Sequence, residues 1–218
     1  MKTIRNISLI VLLVAAGCST SRITSSWKDK NVFPQKYNKV MVLGLIRDED
    51  RNMQINMENH LVGDLKDMGY NAVSSFAEYG PRAFDKMTEV AALDKLKNSG
   101  VDAVITIVLL DKKKESRYVS GSINYTPYGP YYRRFWGYRT TLFDRIYEPG
   151  YYVTNTKYFW ESNFYEMNTQ QLLYSAQTET FDPANSESLA HEYGQLIVND
   201  MTKQNVLINK IIVNGEGN

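Results

Sequence analysis

A single cysteine, Cys18, in 218 residues leaves this chain no internal disulfide and no thiolate metal cluster. Histidine is almost as scarce. His60 and His191 stand far apart with no His-x-x-x-His spacing, so the expectation is structural or surface histidines and no metal site. No apolar run reaches the roughly 20 residues that a bilayer-spanning helix requires. Charge of neither sign dominates, with 25 Lys and Arg against 24 Asp and Glu, which argues against nucleic acid as a partner. There is no Gly-x-Ser-x-Gly elbow. The first strand-to-helix turn, Arg47 to Asn52, holds three carboxylates and no glycine, which disfavours a phosphate cradle. No catalytic constellation can be read, and the expectation is a protein that is not an enzyme. Nor does a long Pro-, Gly- or Ser-rich linker divide the chain, and no repeat of fixed period is present.

What is present begins at the amino terminus. Lys2 and Arg5 precede an apolar stretch from Ile7 to Ala16, followed by Ala15-Ala16-Gly17-Cys18. A short basic region, about ten apolar residues and small residues before a cut site are the parts of a signal peptide. The sequence Ala15 to Cys18 resembles the lipobox of bacterial lipoprotein precursors. The resemblance implies cleavage between Gly17 and Cys18, removal of residues 1–17, and acyl chains on Cys18 as the only covalent group, with no other cofactor. Two or more chains hold a protein stably at a membrane where one is marginal. Among such lipoproteins an Asp directly after the cysteine favours retention in the inner membrane. Ser19 stands there, so the implied location is the outer membrane, facing the periplasm. Loss of Lys2 and Arg5 leaves 23 basic against 24 acidic residues. Residues 18–37 read as the lipidated cysteine and a polar tether, because Ser19 to Asn31 is rich in Ser and Thr and poor in apolar residues.

Residues 38–213 read as one α/β domain, ahead of a tail at 214–218. Lys39 to Ile46 is a continuous apolar run, as expected of a central strand buried on both faces. Met53, Met57, Leu61, Leu65 and Met68 follow at helical spacing, with Gly69 placed to end the helix. Tyr70 to Phe76 is a second strand. Phe84 to Asn98 is a second helix carrying Met87, Val90, Ala91 and Leu93 on one face, stopped by Gly100, and Val101 to Leu110 is a third strand. Lys157 to Met167 and Leu172 to Phe181 flank Asn168-Thr169-Gln170 as an antiparallel hairpin. Asn185 or Ser186 caps a third helix striped by Leu189, Tyr193, Leu196, Ile197 and Met201, and Val206 to Val213 could add a short strand. The predicted class is α/β (α+β). A mixed sheet of about five strands arises from a βαβαβ unit plus the hairpin, packed by three helices, with a long Tyr-rich insertion at 117–157.

Element order, with Glu161 to Tyr165 followed by Leu172 to Ala176, resembles the amino-terminal domains of TolB and of related envelope lipoproteins. The resemblance covers residues 38–110 and 157–204. It implies binding or assembly in the cell envelope and transfers no catalytic residue.

Tyr118 to Trp160 holds ten of the sixteen tyrosines, three phenylalanines and two of the three tryptophans, interleaved with Gly, Pro and Arg. Such residues dominate contact hot spots, and the segment exceeds ordinary loop length. The expected contact residues are Tyr128, Tyr131, Tyr132, Arg133, Arg134, Phe135, Trp136 and Tyr138. The expected partner is an envelope protein, and a glycan stacked on the same rings is the alternative. The competing reading is that these aromatics cover the sheet or extend a hairpin. Asp48, Glu49 and Asp50 lie beyond a strand's carboxyl end, where open sheets bind ligands, though an acidic first turn also suits a helix dipole. Lys112-Lys113-Lys114 is the one basic run. A solvated strand end is its plain reading and contact with anionic headgroups its sharper one.

Overall fold

The structure is a computed structural model, and it describes residues 20–35, 37–81, 84–119 and 151–208. Six strands form one mixed sheet in the order β1-β6-β5-β4-β2-β3. They are β1 (Ser21–Lys28), β2 (Val40–Leu45), β3 (Ala72–Ser74), β4 (Ala103–Val119), β5 (Tyr151–Glu166) and β6 (Gln171–Phe181). The helices are α1 (Arg51–Asp67), α2 (Ser75–Tyr79), α3 (Glu89–Asn98) and α4 (Ser186–Lys203), with a 3-10 turn at Asp48–Asp50. Strand β2 runs parallel to β3 and β4, while β6 runs antiparallel to β5 and β1. The α/β class and the mixed sheet agree with the sequence reading. Two compact units partition the chain, one of Met1–Lys112 with Lys157–Asn218 and one of Lys113–Thr156.

In the larger unit, alternation along the strands sends apolar side chains to both faces. Val40, Val42, Ile105, Ile107, Trp160 and Phe164 face α1 and α4, which pack side by side. Met41, Val101 and Val104 meet Leu96 of α3 in a smaller cluster. Trp160, Tyr174, Tyr193 and Phe164 are the bulkiest fully buried side chains. Burying a large apolar side chain contributes about 1.5–3 kcal/mol, so this face carries most of the fold's stability.

The helix ends follow from single residues. Gly69 takes φ 85° after α1, where Tyr70 N–H reaches the Leu65 carbonyl at 3.0 Å and Gly69 N–H the Lys66 carbonyl at 2.8 Å. That pattern needs a left-handed residue, and glycine adopts it without a Cβ penalty. Gly100 closes α3 by the same pair of bonds. Of the two capping candidates, Asn185 is the cap. Its side chain accepts from Glu187 N–H (3.0 Å) and Ser188 N–H (2.8 Å), and Ser188 Oγ accepts from Asn185 N–H.

Inside the fold, Glu58 of α1 is fully buried and accepts five hydrogen bonds. Gly44 N–H (2.9 Å), Gln54 Nε2 (3.0 Å) and Ser75 Oγ (3.1 Å) reach Oε1, while Ser74 Oγ (2.6 Å) and Phe76 N–H (2.8 Å) reach Oε2. One carboxylate thereby ties β2, β3 and α2 to α1, which satisfies the polar groups its burial would otherwise strand.

Several sequence expectations need correcting. The stretch read as a tether contains β1, paired with β6 from Ser21↔Thr180 to Lys28↔Tyr174. A strand of Ser and Thr has little apolar pattern, yet its ladder and the buried Ser21–Thr180 hydroxyl pair (2.9 Å) hold it. Among the described residues there are thus six strands, and α2, too short to show a period, makes four helices. The second helix starts at Glu89, where Thr88 caps it through Ala91 N–H (3.3 Å), not at Phe84. Its sheet-facing side is Ala92, Leu93 and Leu96, whereas Met87 precedes it and Val90 is exposed. The second strand shrinks to three residues. Strands β4 and β5 run to Val119 and from Tyr151, into the span read as insertion 117–157. Of the strand expected over Val206 to Val213, Val206 to Ile208 are not in a strand, and residues 209–213 lie outside the described residues. Asn205, at φ 57°, turns the chain so that Val206 N–H bonds the Met201 carbonyl (2.8 Å), and Val206 and Leu207 are buried.

Candidate functional site

Cys18, Gly17 and the eight expected contact residues, Tyr128, Tyr131, Tyr132, Arg133, Arg134, Phe135, Trp136 and Tyr138, lie outside the described residues. What is described of the aromatic segment divides between the two units. In the smaller unit, Tyr118, Tyr151 and Tyr152 are 54%, 62% and 73% exposed. The Tyr118 and Tyr152 rings lie 5.1 Å apart, and Ser116 Oγ and Thr154 Oγ1 are 2.9 Å apart beside them. In the larger unit, Trp160 is fully buried, stacked on Tyr158 at 6.0 Å and tilted against Tyr193 at 5.8 Å. The Tyr193 hydroxyl bonds Ser162, and burial pushes the Tyr193 phenol far upward. Trp160 therefore belongs to the core and not to a contact surface, because β5 turns Tyr158, Trp160, Ser162 and Phe164 toward the helices.

Lys112, midway along β4, reaches the acidic turn that follows the carboxyl end of β2. Lys112 Nζ donates to Asp50 Oδ1 at 2.9 Å and lies 5.4 Å from the Tyr158 ring centroid. The Asp50 hydrogen bond holds the Lys112 ammonium above the usual lysine range. Arg51 pairs with Asp48 at 3.0 Å, and Arg47 with Glu49 at 3.6 Å. A hollow of about 280 Å³ lies here, lined by Leu45, Arg47, Glu49, Asp50 and Leu109 to Lys112. Arg47 and Lys112 face Glu49, Asp50 and Asp111 in this lining, so most of its charge is paired.

His60 and His191 do meet, on the seam between α1 and α4, with ring centroids 5.7 Å apart at 66°. Asp64, one turn from His60, lies against Gly194, where an added Cβ would overlap its carboxylate. Burial pushes the Asp64 carboxyl upward, and His191 and His60 act in the opposite sense. Among the described residues no three His, Cys, Asp or Glu side chains are grouped to hold a metal ion.

Sequence reasoning missed an apolar hollow of about 320 Å³ between α3 and the sheet. Leu43, Phe84, Leu93, Leu96, Val104, Tyr165 and Met167 line it. These residues come from four separate stretches, so only pairing of β4 with β5 brings them together. Of the helix face read from the sequence as Met87, Val90, Ala91 and Leu93, only Leu93 lines the hollow.

No protein-family model matches this chain. No curated protein matches it either. Among solved structures, a variant PelC dodecamer from Paraburkholderia phytofirmans aligns at 9% identity and TM-score 0.43, covering 88% of this chain and all of that one. The PelC dodecamer from the same organism in another crystal form aligns at 12% identity and TM-score 0.43, covering 85% and 99%. Lipoprotein GNA1162 from Neisseria meningitidis aligns at 12% identity and TM-score 0.40, covering 76% and 98%. Matches this distant say nothing about what this chain binds.

Proposed function

We propose that this chain is a non-catalytic lipoprotein of the bacterial outer membrane, facing the periplasm, that binds another envelope component through its Tyr-rich segment. The lipobox-like Ala15 to Cys18 supports the address. The observation that carries the binding reading is the exposure of Tyr118 on β4 and Tyr152 on β5, whose rings lie 5.1 Å apart in the smaller unit, with Tyr151 exposed next to Tyr152 in the chain. Exposed tyrosines offer rigid contact area with a hydrogen-bonding tip, and clusters of them mark interaction surfaces more often than isolated ones do. Among the described residues no helix is long and apolar enough to cross a membrane.

The test is crosslinking in intact cells, followed by purification of the full-length protein. Wild type is compared with Tyr118→Ala/Tyr151→Ala/Tyr152→Ala and with Ala at the eight expected contact residues. Specific crosslinked species should disappear in both variants while the amount of membrane-bound protein holds. Unchanged crosslinking would remove the assignment. Binding of the soluble wild-type domain, but not of these variants, to purified glycan strands would move the partner from protein to glycan.

A further inference from the structure

We propose that the end of the sheet where β1 begins and β6 finishes lies against the headgroups of the membrane that holds Cys18. This rests on the lipid-anchor reading above. What the structure adds is the loss of the expected tether. Ser21 is three residues from Cys18, and an extended chain spans at most about 3.3–3.6 Å per residue, so the Ser21 Cα lies within about 11 Å of the acylated residue.

Thr20 and Ser21 are no loose end. Phe181 N–H donates to the Thr20 carbonyl at 3.0 Å, and Thr20 donates from its N–H and its hydroxyl to Glu192 at 3.1 and 3.0 Å. The Ser21 hydroxyl is buried on Thr180. The chain is therefore secured to the domain from Thr20 onward, and this end of the sheet cannot drift away from the bilayer as it could on a polar tether of a dozen residues.

The side chains here suit that position. Phe181 is 45% exposed at the end of β6, its neighbour across the ladder is Lys157, and the Arg22 side chain is 76% exposed one residue into β1. An aromatic ring beside two cations fits the interface, where rings sit at headgroup level and cations meet anionic lipid. Arg22 also pairs with Glu179, and Asp182 follows Phe181, so the attraction is modest and the covalent anchor sets the geometry. The opposite end of β6, at Gln171, lies about 33 Å away at the usual rise of roughly 3.3 Å per residue.

The experiment uses the full-length acylated protein in vesicles of phosphatidylethanolamine and phosphatidylglycerol. A fluorophore is placed on Phe181→Cys or on Asn168→Cys, the lipidated Cys18 being blocked to the label. Nitroxide-labelled headgroups should quench the probe at position 181 several-fold more than the probe at 168. A flexible Gly-Ser insertion between Ser19 and Thr20 should abolish that difference. Equal quenching at both positions in protein that incorporates palmitate would overturn the membrane face while leaving the anchor intact. Absence of palmitate from the wild type would overturn the anchor reading and this inference with it.

Discussion

The backbone N–H of Gly44 donates to Glu58 Oε1 at 2.9 Å, and the Gly44 carbonyl accepts from Gln54 Nε2 at 3.0 Å, so both backbone polar groups of one strand residue are met by α1. The helix approaches this closely because residue 44 has no side chain. A Cβ there would stand 2.8 Å from Gln54 Cγ and 2.9 Å from Glu58 Oε1. Gly44→Ala should therefore cost about 1–3 kcal/mol, the usual penalty for overpacking a filled interior. Gly63→Ala, on α1 with nothing within 4 Å of the added methyl, should instead stabilise by about 0.5–1 kcal/mol through helix propensity. Urea denaturation of both variants checks the contrast, and equal effects would show that the close approach at Gly44 is not limiting.

Removing the acceptor is a harsher change than crowding it. Glu58→Ala strands buried donors from Gly44, Gln54, Ser74 and Ser75 and frees Phe76 N–H, so a loss of more than about 3 kcal/mol is expected. Glu58→Gln keeps an acceptor oxygen and should cost less. Thermal unfolding ranks the pair, and a Gln variant as damaged as Ala would mean that volume, not hydrogen bonding, sets the loss.

The aromatic segment should behave as two populations. Trp160→Ala removes a fully buried ring and should cost about 3–5 kcal/mol. Tyr152→Ala, at an exposed position, should change stability by less than about 0.5 kcal/mol. If the crosslinking phenotype followed Trp160→Ala at temperatures where that variant stays folded, the division of roles would be wrong.

Stability should fall in strong alkali. Tyr37 packs edge-on to Phe164 at 5.1 Å, and burial pushes its phenol up to about 12, against the lowering effect of its Gln35 hydrogen bond. Burial also raises Tyr174, whose hydroxyl donates to Asp200 at 2.7 Å. With folded values above the unfolded 10, the unfolded chain ionises first and binds fewer protons. The slope of unfolding free energy with pH is then negative. Stability is fully present below pH 10 and declines from there to about 12 for Tyr37. Tyr37→Phe should flatten that decline in a series of urea melts, and an unaltered slope would exclude Tyr37 as a contributor.

How much of this was legible depended on where each element's partner lies. The apolar run at Val40–Leu45 shows itself because both faces of β2 are buried, and the α1 and α4 stripes show because each helix buries one side. Strand β1 has no such signature, since it is an edge whose hydrogen bonds go to β6 and whose side chains are half solvated. Its partner is far along the chain, and nothing in Ser21 to Lys28 announces it. Tyr152 and Trp160 illustrate the same limit within one strand. Both are large aromatics in β5, and residue type alone does not say which ring meets the core.

Local chemistry was determined by the sequence itself. The lipobox-like Ala15 to Cys18, the stops at Gly69 and Gly100, the cap at Asn185 and the stripes of α1 and α4 all depend on near neighbours in the chain. Long-range pairing was decided only by the tertiary structure. It turned a presumed tether into β1, seated Glu58 among five donors from separate segments, set His60 beside His191, and buried Trp160 while leaving Tyr118, Tyr151 and Tyr152 outside. Contacts of that kind follow from which strands become neighbours, a choice made by the whole core and written in no single stretch.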